Sequence, residues 1–157
     1  AVKSWLDGKP KRYKINRTIW FVEDDYLKCE LPSGRRLSYY KPSIKYEMNP
    51  WNEKRPKLYH FSVNPMTRQW ESASTYGGKL TENVVQAISR DFMAEAMKRI
   101  DGALYTVILS VHDEIVAQRT KGTGTLDDFE NLMAELPLWG AGCPIRVEGW
   151  VGEKYHK

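Results

Sequence analysis

Residues 105–118 read YTVILSVHDEIVAQ. Two runs rich in β-branched residues, 106–111 and 115–116, flank the three polar residues His112, Asp113 and Glu114. Strand formers around so short a polar break predict a tight β-hairpin carrying two adjacent carboxylates at its tip. Neighbouring negative charges repel, and apolar strands beside them make desolvation costly, so a divalent cation or a polycationic partner would neutralise them. An ordinary exposed acidic turn reads the same way from this segment alone.

The rest of the chain predicts an α+β fold: a small antiparallel sheet and a central carboxylate-tipped hairpin, packed on one long and one shorter helix. Residues 17–22, 27–31 and 36–40 read as short strands, with Glu23-Asp24-Asp25 and Pro32-Ser33-Gly34 as turns between them. Residues 41–55 hold two prolines and two asparagines without a sustained period, and are expected to be an irregular excursion. Residues 57–63 and 68–72 form a further hairpin around Asn64-Pro65.

A long helix is expected after Gly77-Gly78, with an apolar stripe at Leu80, Val84, Ile88, Phe92, Ala96 and Ile100. Its other face carries Lys79, Glu82, Asn83, Gln86 and Arg90. A second helix, residues 126–135, starts after the capping residue Thr125 and stops before Pro137. Residues 145–148 are expected to be a last strand beside the hairpin.

The 157 residues are enough for one domain with a core, 1–157, with residues 1–16 as a flexible basic N-terminus. No apolar run reaches 18 residues, so no membrane partner is expected, and residues 1–10 are too polar for a secretory leader. Cys29 and Cys143 stand far apart without Cys or His at ligand spacing, which fits reduced thiols in a cytoplasmic protein. Three histidines, His60, His112 and His156, give no zinc pattern. Residues 1–70 hold 15 Lys or Arg against 7 Asp or Glu, and residues 71–157 hold 9 against 13. The basic half interleaves Lys9, Lys11, Arg12, Lys14, Arg17, Arg35 and Arg36 with Trp5, Tyr13, Trp20, Tyr39 and Tyr40, a composition that suits nucleic acid: cations meet phosphates and rings stack on bases or sugars. A solvated basic face whose rings serve the core has the same composition.

Four ordered blocks carry a more specific signal: LPSGRRLSYY at residues 31–40, YGGKLTEN leading into the long helix, the VHDE hairpin, and the pattern GW-x-G-x-K-Y from Gly149 to Tyr155. Together they resemble the C-terminal part of the palm of a family A DNA polymerase of the bacteriophage or prophage branch. The resemblance implies template-directed nucleotidyl transfer by a two-metal mechanism with Mg2+, in which carboxylates on the palm hold both cations. Asp113 matches the family's metal-ligating hairpin aspartate, Glu114 the adjacent glutamate, and His112 a histidine close to the primer terminus. Gln86 matches a glutamine that reaches the minor groove near the newest base pair. Lys79 and Asn83 fall one position away from the family's Arg and Asn, and are carried over as DNA contacts only.

The family's first metal aspartate, in a D-x-S-x-I-E-like strand, and its fingers helix R-x3-K-x6-YG should precede LPSGRRL. The 30 residues upstream contain neither. The resemblance therefore implies half an active site in a truncated polymerase whose partners are a DNA primer-template, deoxynucleoside triphosphates and the N-terminal part of the polymerase. The other class of function is a non-catalytic nucleic-acid-binding remnant. A hydrolase built on His112-Asp113 lacks a nucleophile signature such as G-x-S-x-G.

Overall fold

The computed structural model describes residues 1–155, so His156 lies outside the described residues. The fold is α+β, as the sequence predicts, and forms two compact units, Ala1–Gln86 and Ala87–Lys157.

The first unit is a six-stranded antiparallel meander in the order β1 to β6: Tyr13–Ile15, Thr18–Glu23, Tyr26–Glu30, Arg36–Met48, Lys54–Val63 and Trp70–Thr75. Successive pairing follows from short turns, because antiparallel neighbours need only a few connecting residues. Residues 1–16 contain helix α1, Val2–Leu6, and strand β1; Val2 is buried against Leu27 and Tyr39. Trp20, Val22, Leu37, Ile44, Leu58 and Leu80 pack around that cluster.

The irregular excursion expected at residues 41–55 is instead most of a long hairpin. Strand β4 continues to Met48, and β5 starts at Lys54. Pro42, which has no N–H to give to a ladder, sits where the register breaks between Tyr40 and Ser43, with Lys41 at φ 45°. Beyond the break, Ser43 faces Tyr59 and Met48 faces Lys54. Asn49 closes the turn: its Oδ1 accepts from the Trp51 and Glu53 backbone N–H at 3.0 and 2.8 Å. Proline at a bulge permits a strand that proline counting alone argues against.

Helix α2, Gly77–Asp101, runs 25 residues and begins at the glycine pair itself rather than after it. Its residues up to Gln86 belong to the first unit and the remainder to the second. In the second unit, Ala96, Ile100 and Tyr105 are buried with Val107, Ile115, Ala117, Phe129, Leu132 and Met133 around them. Strands β7, Tyr105–Val111, and β8, Glu114–Arg119, form a separate two-stranded sheet, so the hairpin is not a member of the larger one.

Helix α3, Leu126–Ala134, is closed by a reciprocal capping box in which Thr125 and Asp128 satisfy each other's backbone N–H. The Tyr105 hydroxyl donates to the Thr125 carbonyl at 2.8 Å and its ring meets Phe129 edge-on at 5.0 Å, which fixes the start of the hairpin to the start of α3. Gly124 makes this approach possible. Its φ is 61°, and a Cβ there would stand 2.6 Å from the Tyr105 hydroxyl.

One further expectation is corrected. Residues 145–148 form no strand: Pro144 precedes them, the Ile145 N–H turns back to the Cys143 carbonyl at 3.0 Å, and the small sheet stops at two strands. The hairpin strands are not wholly buried. The register shifts between Val107 and Leu109, and this bulge turns both Ile108 and Leu109 outward, at 54% and 38% exposure.

Ile100 is fully buried and Val85, on the same helix, is 56% exposed. Ile100→Ala is therefore expected to destabilise the chain by about 2–5 kcal/mol, while Val85→Ala stays within about 0.5 kcal/mol of the parent. Urea unfolding midpoints followed by circular dichroism check this; equal shifts for the two variants would contradict the core assignment.

Candidate functional site

Val111 pairs directly with Glu114, leaving His112 and Asp113 as a two-residue connection. Such short loops need positive φ to match strand twist, and His112 supplies it with φ 53°. Histidine is among the few non-glycine residues that adopt this region readily. His112, Asp113 and Glu114 are all exposed. Asp113 thus stands in the turn, whereas Glu114 is the first residue of β8.

Glu114 has a partner that sequence reading missed. Its Oε2 accepts a hydrogen bond from the Tyr155 hydroxyl at 2.9 Å, across 41 residues. The terminal Gly149–Tyr155 pattern is visible in the sequence, but nothing local in it states which residue it meets. Donation to a carboxylate favours the protonated phenol, so the pKa of Tyr155 is raised, first by this bond and then by burial and by the charge of Glu114. Nearby, the Gly149 N–H donates to Glu130 Oε1 at 2.7 Å, which ties the same segment to α3.

The helix donors sort into two settings. Lys79 pairs with Glu82 Oε1 at 2.9 Å, and Gln86 donates to that same oxygen at 3.3 Å, so both lie on an exposed stripe of α2. The bond to Glu82 raises the Lys79 pKa, keeping its ammonium charged. Asn83 is half-buried and its Nδ2 donates to the Tyr39 hydroxyl at 3.2 Å. Burial raises the Tyr39 pKa, and the Asn83 bond offsets part of that rise. Lys79, Asn83 and Gln86 belong to the first unit, and His112, Asp113 and Glu114 to the second.

Asp113 and Glu114 do not by themselves make a magnesium site. Magnesium requires near-octahedral oxygen ligands. Among the described residues there is no group of three or more His, Cys, Asp or Glu side chains placed to hold a metal ion. The turn can offer one solvent-facing carboxylate to a shell built with other donors. Among the described residues no helix is long and apolar enough to cross a membrane.

Over all 157 residues the chain is 37% identical to a DNA polymerase of Bacillus phage SP02, and it spans 24% of that relative's length. No family model matches the chain. No solved structure matches it.

The Tyr155–Glu114 bond has a pH signature. A phenol whose folded pKa is raised contributes stability below the ordinary tyrosine pKa, and this contribution is lost as pH rises through the folded value. Phenolate absorbance should show Tyr39, Tyr59 and Tyr155 titrating above the ordinary range; Tyr155→Phe removes one of the three and Glu114→Ala brings that one down. An unchanged titration in Glu114→Ala would contradict the bond.

Proposed function

We propose that this chain is the C-terminal palm segment of a family A DNA polymerase of the phage type, acting in template-directed nucleotidyl transfer within a longer protein. The observation that carries this reading is the exposed Asp113 in a two-residue turn, in a sequence similar from end to end to part of a phage DNA polymerase. Asp113 would bring one carboxylate to a magnesium shell whose other ligands come from segments beyond these residues. Magnesium, when bound, supplies the charge neutralisation of two-metal phosphoryl transfer.

The remaining roles belong to this chain's own side chains. His112, beside Asp113, would contact the primer terminus. Glu114, held by Tyr155, supports the neighbouring carboxylate, because a side chain already fixed by a hydrogen bond loses less freedom when the site assembles. Gln86 would donate to the minor groove, with Lys79 and Asn83 as DNA contacts. The primer-template and deoxynucleoside triphosphates are the partners this reading implies.

A chimera tests it: the matching segment of the phage SP02 polymerase is replaced by this chain. Primer extension with magnesium should be retained in the chimera, and should fall at least about a hundredfold on Asp113→Ala, since losing a metal ligand removes several kcal/mol of transition-state stabilisation. The 157-residue chain alone should give no extension. A folded chimera that binds DNA but does not extend it would favour the non-catalytic remnant.

A further inference from the structure

The six-stranded sheet has two unlike faces. Cross-strand partners point to the same side. Trp20, Leu27, Cys29, Leu37, Tyr39 and Leu58 occupy the side that packs with α1 and the first turns of α2. The other side carries a line of rings. Tyr26 on β3, Tyr40 on β4 and Phe61 on β5 are direct cross-strand partners, and Trp70 on β6 stands two residues from Ser72, the partner of Phe61. Ring centroids are 5.0 Å apart for Tyr26–Tyr40, 6.4 Å for Tyr40–Phe61 and 6.1 Å for Tyr40–Trp70. These rings are not the core. Tyr26, Tyr40 and Phe61 are half-buried and Trp70 is 57% exposed.

Cations accompany the rings. Lys41 lies 5.3 Å from the Tyr40 centroid, Lys45 lies 4.5 Å from that of Tyr59, and Arg12 and Arg36 lie 4.1 and 5.4 Å from that of Phe21. The acids of this side are already engaged: Glu23 with Lys28, Glu30 with Arg12 and Arg36, and Glu47 with Lys57. Lys41 stands against the Tyr40 ring and Lys45 against that of Tyr59, with Glu47, already bonded to Lys57, also within reach of the Lys45 charge; this leaves positive charge beside open aromatic surface.

We propose that this sheet face binds single-stranded nucleic acid, with Tyr26, Tyr40, Phe61 and Trp70 as the stacking line and Lys41 and Lys45 as phosphate contacts. A duplex hides its base faces within its own stack, and an acidic protein surface would meet the cations but waste the rings. An unpaired strand offers both flat bases and phosphates, the combination that sheet-based single-strand binders use. The inference rests on the first unit alone and needs neither metal nor triphosphate.

Fluorescence anisotropy of the full chain with a labelled oligothymidylate of about 12 nucleotides tests it, since such sites span several nucleotides. Binding should weaken with salt and exceed binding to a blunt duplex of the same strand length. Trp70→Ala should weaken it about fivefold or more, the loss of one stacked base. Lys45→Ala should weaken it and flatten the salt dependence by about one phosphate contact, while Lys121→Ala leaves it unchanged. Circular dichroism confirms that each variant is folded.

No binding at low salt, equal affinity for duplex, or full affinity in both Trp70→Ala and Lys45→Ala would overturn the proposal. An inactive chimera would leave it standing, and failure here would leave the hairpin's role standing.

Discussion

The first unit depends on the satisfaction of one buried hydroxyl. Tyr39 is buried in the sheet, stacked on Trp20 at 6.4 Å and 15°, and set edge-on to His60 at 5.1 Å. A phenol so placed must find a hydrogen-bond partner or incur its full desolvation cost, and Asn83 is that partner. This bond, between residues 44 apart, acts with Leu80, which packs on the same cluster, to set which side of the early α2 helix faces the strands. Lys79, Glu82 and Gln86 are thereby turned out. Because strand side chains alternate, burying Tyr39 also commits Tyr40 to the opposite side of the sheet, where the aromatic line begins.

The sequence's legibility follows from how local each signal is. Strands β2, β3 and β6, the body of α2, the Thr125 cap and the hairpin are each announced by residues within a few positions of one another: turn residues, period-2 runs, a 3.6-residue stripe. What failed depended on partners elsewhere. Strand β4 passes Pro42 because a bulge relieves it, and β1 exists because β2 offers an edge. Residues 145–148, with good strand formers, follow Pro144 and a backbone turn at Cys143 and join neither sheet.

The same division runs through the site. The turn position of Asp113 is readable from the spacing of β-branched residues, whereas the Glu114–Tyr155 bond joins two segments that no periodicity connects. On α2, residues 79, 83 and 86 share one stripe by helical arithmetic, yet Asn83 sits at the stripe's border and is taken inward by Tyr39. The basic half is likewise less bare than its composition states. Arg12, Lys28 and Arg36 are paired with Glu23 and Glu30. What composition could not reveal is that Lys41 and Lys45 stand against aromatic rings.

The β7–β8 ribbon packs Val107, Ile115 and Ala117 against the core of the second unit, and its side-chain ties differ between its two ends. At Tyr105 it is fixed by a ring contact, a hydrogen bond and the close approach of Gly124. At the tip, among the described residues, it carries the single side-chain tie from Tyr155, while Ile108 and Leu109 stand outward midway. Two strands alone are marginally stable in water. The turn itself, with Asp113, projects past the last packed residue, Ile115, into solvent. A carboxylate mounted this way is reached from solvent without parting any packed side chain, so whatever completes its surroundings meets it at the surface and leaves the core of the unit as it stands.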